Sequence, residues 1–125
     1  MEMKIIGIRD SLLELLLRLG ESSHPREFLA ILLEHNGIIE EMELVPGTET
    51  RESSASFSIS MLPLNPHTAG SAHSHPNGVL RPSGPDLRYF PSTGRYHLII
   101  GPPYTRSSWR CYNSNGTPVS LEVIP

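Results

Sequence analysis

The run His73-Ser74-His75-Pro76, then six residues, Ser83, two residues and Asp86, constrains this chain more than any other stretch. Side chains two apart on a strand share a face. At ~3.3 Å per residue, the two histidine Cα atoms would lie roughly 6.6 Å apart, a span that lets both imidazoles reach one ion at Zn–N distances of about 2.0–2.1 Å. Pro76 disfavours the helical region for the residue before it, so His75 is expected to be extended. Asn77-Gly78 signals a turn. Ser83-Gly84-Pro85-Asp86 has the form of a helix entry, with Ser83 as N-cap, Pro85 in the first turn and Asp86 as the capping carboxylate. The chain has only two aspartates, Asp10 and Asp86. A shuffle of its own composition would give this five-position pattern with odds of order 10⁻⁴ or below. Taken alone, Ser83 and Asp86 need be no more than a helix cap. Two histidines on one face together with a returning carboxylate turn the reading towards a metal.

His73, His75 and Asp86 are a three-ligand set of type N, N, O. A catalytic zinc uses three protein ligands, keeps the fourth place for water, and brings that water's pKa down to about 7. Hydrolysis also needs a group that takes the water proton and passes it to a leaving amine, a role suited to glutamate. Eleven glutamates are available and spacing does not choose among them. Ser83, three residues before the aspartate, is the natural hydroxyl donor to an oxyanion. Two histidines and one carboxylate with open positions also describe a non-haem Fe(II) site. A zinc that merely ties residues 76–86 to a sheet, in a binding module without activity, is a further reading.

A length of 125 residues predicts one domain, residues 1–125. Net charge is −3 and no basic run occurs, so nucleic acid is not an expected partner. Cys111 is the sole cysteine, which excludes an intrachain disulfide and a cysteine zinc cage. It is compatible with a cytoplasmic setting. The most apolar run, residues 11–20, is interrupted by Glu14 and Arg18, and is far short of the ~20 residues of a membrane span. The first ten residues lack the pattern of a signal peptide.

Along the chain, residues 4–8 read as a strand, and Asp10 or Ser11 opens a leucine-rich helix to about Gly20. Leucines on nearly every side of that helix call for burial or for a second subunit, which makes a homodimer an expectation. A second helix is predicted from His24-Pro25 to Asn36-Gly37, with Glu27 in its first turn. Strands are predicted at 38–44, 54–63, 68–75, 96–100, 109–112 and 119–124, with Asn115-Gly116 turning between the last two. A short helix after Asp86 is stopped by Pro91. The other histidines, His24, His35, His67 and His97, fall at predicted element margins. Ser74 faces away from the ligands, and Cys111 reads as an inert buried thiol. The order of elements predicts an α+β (mixed α/β) domain with helices against a single sheet.

H73-S-H75-P76, six residues, S83, two residues, D86 resembles the signature of the JAMM (MPN-plus) zinc metalloproteases, which cleave isopeptide bonds to ubiquitin and ubiquitin-like proteins. HPREFLAIL (24–32), MLP (61–63), YHLIIGPPY (96–104) and WRCYNSNGTPVSLEVI (109–124) are similar to other parts of that family in its small prokaryotic, especially archaeal, form. The resemblance implies a curved mixed sheet flanked by helices, of the cytidine-deaminase type. It implies Zn²⁺ held by His73, His75 and Asp86. It places Glu27, on the family's N-terminal helix, as general base and then acid, and Ser83 as oxyanion donor. The partner it implies is the C-terminal tail of a ubiquitin-like conjugate. Small relatives that release an amino acid such as cysteine from a sulfur-carrier protein supply an alternative substrate.

Overall fold

The computed structural model describes residues 4–45 and 65–125; the strand expected at 54–63, and with it MLP, lies outside them. In chain order the elements are β1 (Gly7–Arg9), α1 (Asp10–Ser23), β2 (Leu29–His35), β3 (Ile38–Leu44), β4 (Thr68–Ser74), α2 (Gly84–Tyr89), a 3₁₀ turn (Phe90–Ser92), β5 (Tyr96–Ile100), β6 (Trp109–Tyr112) and β7 (Glu122–Ile124). The strands form one mixed sheet in the order β6-β5-β4-β2-β3-β1-β7. The β4–β5, β1–β3 and β1–β7 pairs are parallel, and the rest are antiparallel.

The sheet has to curl. Pro118 pairs beside Tyr112 of β6, and β7 begins at Glu122, four residues on, at the opposite edge. Four residues reach at most about 14 Å, whereas six flat inter-strand spacings of ~4.8 Å would need roughly 29 Å. Curling closes the gap, and the concave side holds α1. Leu12, Leu13, Leu16 and Leu17 of α1 pack with Ile8, Phe28, Ala30, Leu32, Ile39, Leu98 and Ile100, and Val119, Leu121 and Val123 seal the seam. The leucine-rich helix buries one face, Leu12, Leu13, Leu16, Leu17 and Gly20, while Glu14, Leu15, Arg18 and Glu21 on the other stay exposed, so its leucines do not need cover on every side. Asn115-Gly116 does make a turn, and the chain pairs across it, Tyr112 bridging Pro118 and Val119 N–H donating to Cys111 O at 2.9 Å, before β7 leaves to pair with β1.

The second helix expected over 24–37 is not formed. Its C-terminal half is β2, a central strand. Leu29, Ile31 and Leu33 face one side of the sheet, and Ala30 and Leu32 the other. A short run that is apolar at every position fits a strand buried on both faces as well as it fits a helix. What decides is Asn36-Gly37. Both residues have positive φ, 55° and 84°, and His35 pairs with Ile38. That is the two-residue hairpin turn favoured by Asn-Gly, not a helix C-cap. Glu27 accordingly lies in the extended approach to β2 rather than in a helical first turn.

On the convex face, α2 and the 3₁₀ turn pack Tyr89 and Phe90 against Leu29, Ile31, Leu33 and Ile99. Beneath them β4 presses close to β5. A Cβ on Gly70 would stand 1.5 Å from the Tyr96 carbonyl oxygen, so only glycine is admitted at that crossing.

Candidate metal centre

The site forms where the C-terminal end of β4 meets the start of α2. His73 and His75 extend from β4 towards the convex face, as the period of two requires. His75 is kept extended by its N–H to Ile100 O, 2.8 Å. The chain then turns sharply: Gly78 N–H donates to His75 O at 2.9 Å, and Val79 N–H to Asn77 Oδ1 at 2.9 Å. This turn brings the Val79 carbonyl against His75 Nδ1 at 2.7 Å. The N-cap of α2 is a reciprocal capping box. Asp86 N–H donates to Ser83 Oγ at 3.2 Å, and Ser83 N–H to Asp86 Oδ2 at 2.7 Å. The ligand carboxylate is thus fixed by the helix end it caps.

His73 Nε2 lies 3.0 Å from His75 Nε2, and each lies 3.1 Å from Asp86 Oδ2. All three residues are buried. The donor set itself calls for a cation. Val79 O can only accept, so His75 carries a proton on Nδ1, and in the neutral ring its Nε2 is a bare lone pair. That lone pair faces a carboxylate oxygen, which is also an acceptor. In a zinc tetrahedron with bonds near 2.05 Å, adjacent donor atoms sit roughly 3.3 Å apart, so an expansion of a few tenths of an ångström seats the ion. Burial works against charge at His75. The hydrogen bonds to Asp86 and Val79, with the fields of Asp86 and Glu27, outweigh it and hold its pKa above the ordinary value. Burial likewise opposes charge on Asp86, but the two imidazoles and the Ser83 N–H keep its carboxyl far below the usual range.

Glu27, His75, Asn77, Val79, Arg81, Pro82 and Ser83 line one cleft of about 380 Å³. Glu27 reaches it because Phe28 is locked behind it. The Phe28 ring is buried in the concave core. Its N–H donates to Ser74 Oγ at 3.1 Å, and its carbonyl accepts from Ser74 N–H at 3.3 Å. Ser74 therefore faces away from the ligands, as expected, and its work is to position the base candidate. The Ser83 hydroxyl accepts from Asp86 N–H, which leaves its own proton to donate into the cleft. Cys111 is buried, and burial pushes its thiol up to about 12.

Several residues around the site gave no signal in the sequence. The Val79 carbonyl has no side-chain signature. Tyr89, whose hydroxyl lies 3.2 Å from His73 Nδ1, could have been found as the residue one helical turn after Asp86. His97 was expected at a strand margin. It is instead fully buried inside β5, with Nδ1 2.7 Å from Ser71 Oγ and Nε2 2.9 Å from Gly94 O. His24 bonds the Tyr104 hydroxyl, and His35 and His67 pair with Glu41 and Glu34. None of these three is in the ligand cluster.

Two histidines and an aspartate gathered this way, on a curled mixed sheet with two helices, define a metallohydrolase zinc centre of the JAMM type. The chain matches the family of prokaryotic homologs of the JAB domain over residues 9–112, and it belongs to that family. A probable metalloprotease of Haloferax volcanii is 34% identical, over 97% of this chain and 81% of the relative. A JAB1/MPN domain protein from Archaeoglobus fulgidus superposes with a TM-score of 0.77 at 33% identity, covering 95% of this chain and 99% of that one. A structure described as JAMM, a metalloprotease-like zinc site in the proteasome and signalosome, gives a TM-score of 0.77 at 34% identity, covering 98% and 100%. The fold expectation, an α+β domain on a curved mixed sheet, and Zn²⁺ as the metal both hold. Among the described residues no helix is long and apolar enough to cross a membrane.

Proposed function

We propose that this chain is a cytoplasmic zinc isopeptidase that frees a ubiquitin-like modifier from a lysine amine. In this reading His73, His75 and Asp86 hold the zinc, Glu27 is general base and then acid, and Ser83 is the oxyanion donor. The observation that carries it is the shared cleft: Glu27 and Ser83 flank His75 on one concave surface. When bound, zinc supplies a water acidified to a pKa of about 7. The Glu27 carboxylate takes the proton of the attacking water and returns it to the leaving amine. The Ser83 hydroxyl donates to the oxygen of the attacked carbonyl as charge grows there. A Gly-Gly tail carries no side chain beyond Cα and suits a cleft walled by Asn77, Val79 and Pro82.

Arg81 supports a second substrate reading. It lines the same cleft, where a guanidinium would pair with the free carboxylate of a terminal amino acid. A lysine-linked target has no carboxylate at that position. The test is incubation of the purified chain with a lysine-linked ubiquitin-like conjugate and with a modifier carrying one extra C-terminal amino acid, each with and without chelator. Chelator-sensitive cleavage of the first supports the isopeptidase, and cleavage of the second alone supports amino-acid release. Glu27→Gln is expected to keep one zinc per chain and to lose about 10²–10⁴ in rate; full activity in that variant removes Glu27 from the mechanism.

A further inference from the structure

The turn over residues 101–104, which follows β5, is wedged between the ligand turn and the segment that carries Glu27. Its first residue presses on the ligand turn. A Cβ on Gly101 would stand 2.9 Å from His75 O, 3.0 Å from Leu80 Cδ2 and 3.6 Å from Gly78 Cα. One residue earlier, Ile100 O accepts the His75 N–H at 2.8 Å. The last residue of the turn touches the other side. The Tyr104 hydroxyl lies 2.7 Å from His24 Nδ1, and the two rings meet edge to face with centroids 5.6 Å apart. His24 stands three residues before Glu27.

Tyr104 is itself tightly held. Only 4% of it is exposed. Its N–H donates to Gly101 O at 2.9 Å and closes the turn, and its carbonyl accepts from Arg18 Nη2 at 2.5 Å. The ring lies on α1 where that helix has no side chain: a Cβ on Gly20 would stand 2.8 Å from Tyr104 Cε1. Its φ is 60°, a left-handed conformation uncommon outside glycine, and such a conformation persists only where the surroundings over-determine it. The segment between α1 and β2 is pinned at two points. His24 is held by Tyr104 and by its own N–H to Gly20 O at 3.0 Å. Phe28 is held by its two hydrogen bonds to Ser74. Glu27 lies between them.

We propose that the 101–104 turn is a spacer that sets the reach of Glu27 to the metal centre, with Tyr104, acting through His24, as a positioning residue for the base. The inference rests on the Glu27 reading above and deepens it. The pairing of β2 with β4 fixes Leu29 against His73, but Glu27 lies two residues outside that ladder, and its reach depends on contacts beyond it. One buried turn leans on the ligand turn at one end and on the base segment at the other. A misplacement of about 1 Å can cost on the order of 10²-fold in rate.

The experiment compares wild type, Tyr104→Phe and Ser114→Ala, all loaded with zinc. The last removes a hydroxyl bonded to the Gly94 carbonyl, which serves as control. Nitrogen relaxation NMR should give order parameters of about 0.85 for the Arg26 and Glu27 amides in wild type and Ser114→Ala, and below about 0.7 in Tyr104→Phe. Zinc affinity, read by competition with a chromophoric chelator, should stay within about twofold in all three, since no ligand is touched. On a lysine-linked ubiquitin-like conjugate, Tyr104→Phe should lose about tenfold in kcat with KM within about twofold. Added to Glu27→Gln it should cause no further loss, because it acts only through that carboxylate. An equal loss of rate in both backgrounds overturns the inference, since a merely structural lesion is indifferent to residue 27. Unchanged Glu27 order in Tyr104→Phe, or a wild-type Glu27 amide below about 0.6, overturns it as well and leaves the base reading standing. A wild type that cleaves nothing, or a fully active Glu27→Gln, overturns the base reading and the role of Tyr104 with it.

Discussion

His97 shows what burial does to a single side chain here. An imidazole in water titrates near 6.5, and inside β5 burial lowers this to about 4. The native ring is neutral while the unfolded ring takes up a proton below 6.5, so native stability from this group is complete above that value. It drains away as pH falls from 6.5 towards 4 and changes no further below. The span is worth about 3 kcal/mol. The His97 ring carbon and proton resonances should therefore stay unshifted from neutral pH down to about pH 5, while the urea midpoint of the chain falls over the same range. A His97 resonance that titrates near its ordinary value would show the ring to be hydrated. The residues that would hold the metal were legible in the sequence for an elementary reason. His73, His75 and Asp86 are chemically conspicuous and locally spaced, with a proline and a turn between them. The contacts of Tyr89 with His73 and of Ser71 with His97 were not legible, because they join elements whose neighbourhood the sequence does not state.

At the scale of elements, the proposed mechanism has α2 tie catalytic and structural demands to one hydroxyl. Ser83 Oγ satisfies the Asp86 N–H, and in that proposal its proton is the one offered to the oxyanion. Ser83→Ala removes both services, at about 1 kcal/mol of stability for the cap and about 10²–10³ in turnover. Zinc should stay bound, since the Ser83 backbone N–H that holds Asp86 Oδ2 survives the change. Thr restores both losses. Asp restores the cap but puts a negative charge where the oxyanion forms, so its melting temperature recovers and its rate does not. Equal recovery of rate by Thr and Asp would reduce Ser83 to a cap. The missed element is as instructive as the found one. Periodicity fails over Leu29–Leu33 because a strand covered on both faces has no polar side to show. Asn36-Gly37 is ambiguous when read locally, since glycine ends helices and hairpins alike. Only the pairing of His35 with Ile38 resolves it. The helix α1, β3, β4, α2 and β5 each carried their own boundary signals and were legible from them.

The whole molecule divides its cohesion between two faces, and this decides what the metal is for. The concave core of α1 and the curled sheet contains no metal ligand. The convex layer is thinner, but Tyr89 and Phe90 anchor α2 through apolar contacts of their own. Zinc held by His73, His75 and Asp86 would tie α2 to β4 in addition to these apolar contacts with β2 and β5. A ligand present at a hundredfold its dissociation constant stabilises the folded state by about 2.7 kcal/mol. For a chain of this size that is roughly 10 °C of melting temperature. Chelation should therefore lower the midpoint by about that much while preserving a single cooperative transition and the native far-ultraviolet spectrum. Hydrolysis should fall to background over the same titration and return when zinc is added back. The seam between β7 and β1 gives the control. Gly7 lies in that pairing, where a Cβ would come 2.4 Å from the Glu122 carbonyl oxygen. Gly7→Ala should cost stability with or without zinc and leave zinc affinity unchanged in whatever fraction folds. A chain that loses its cooperative transition on chelation would instead have a metal that builds the fold, and the catalytic reading of the centre would then have no support from its stability.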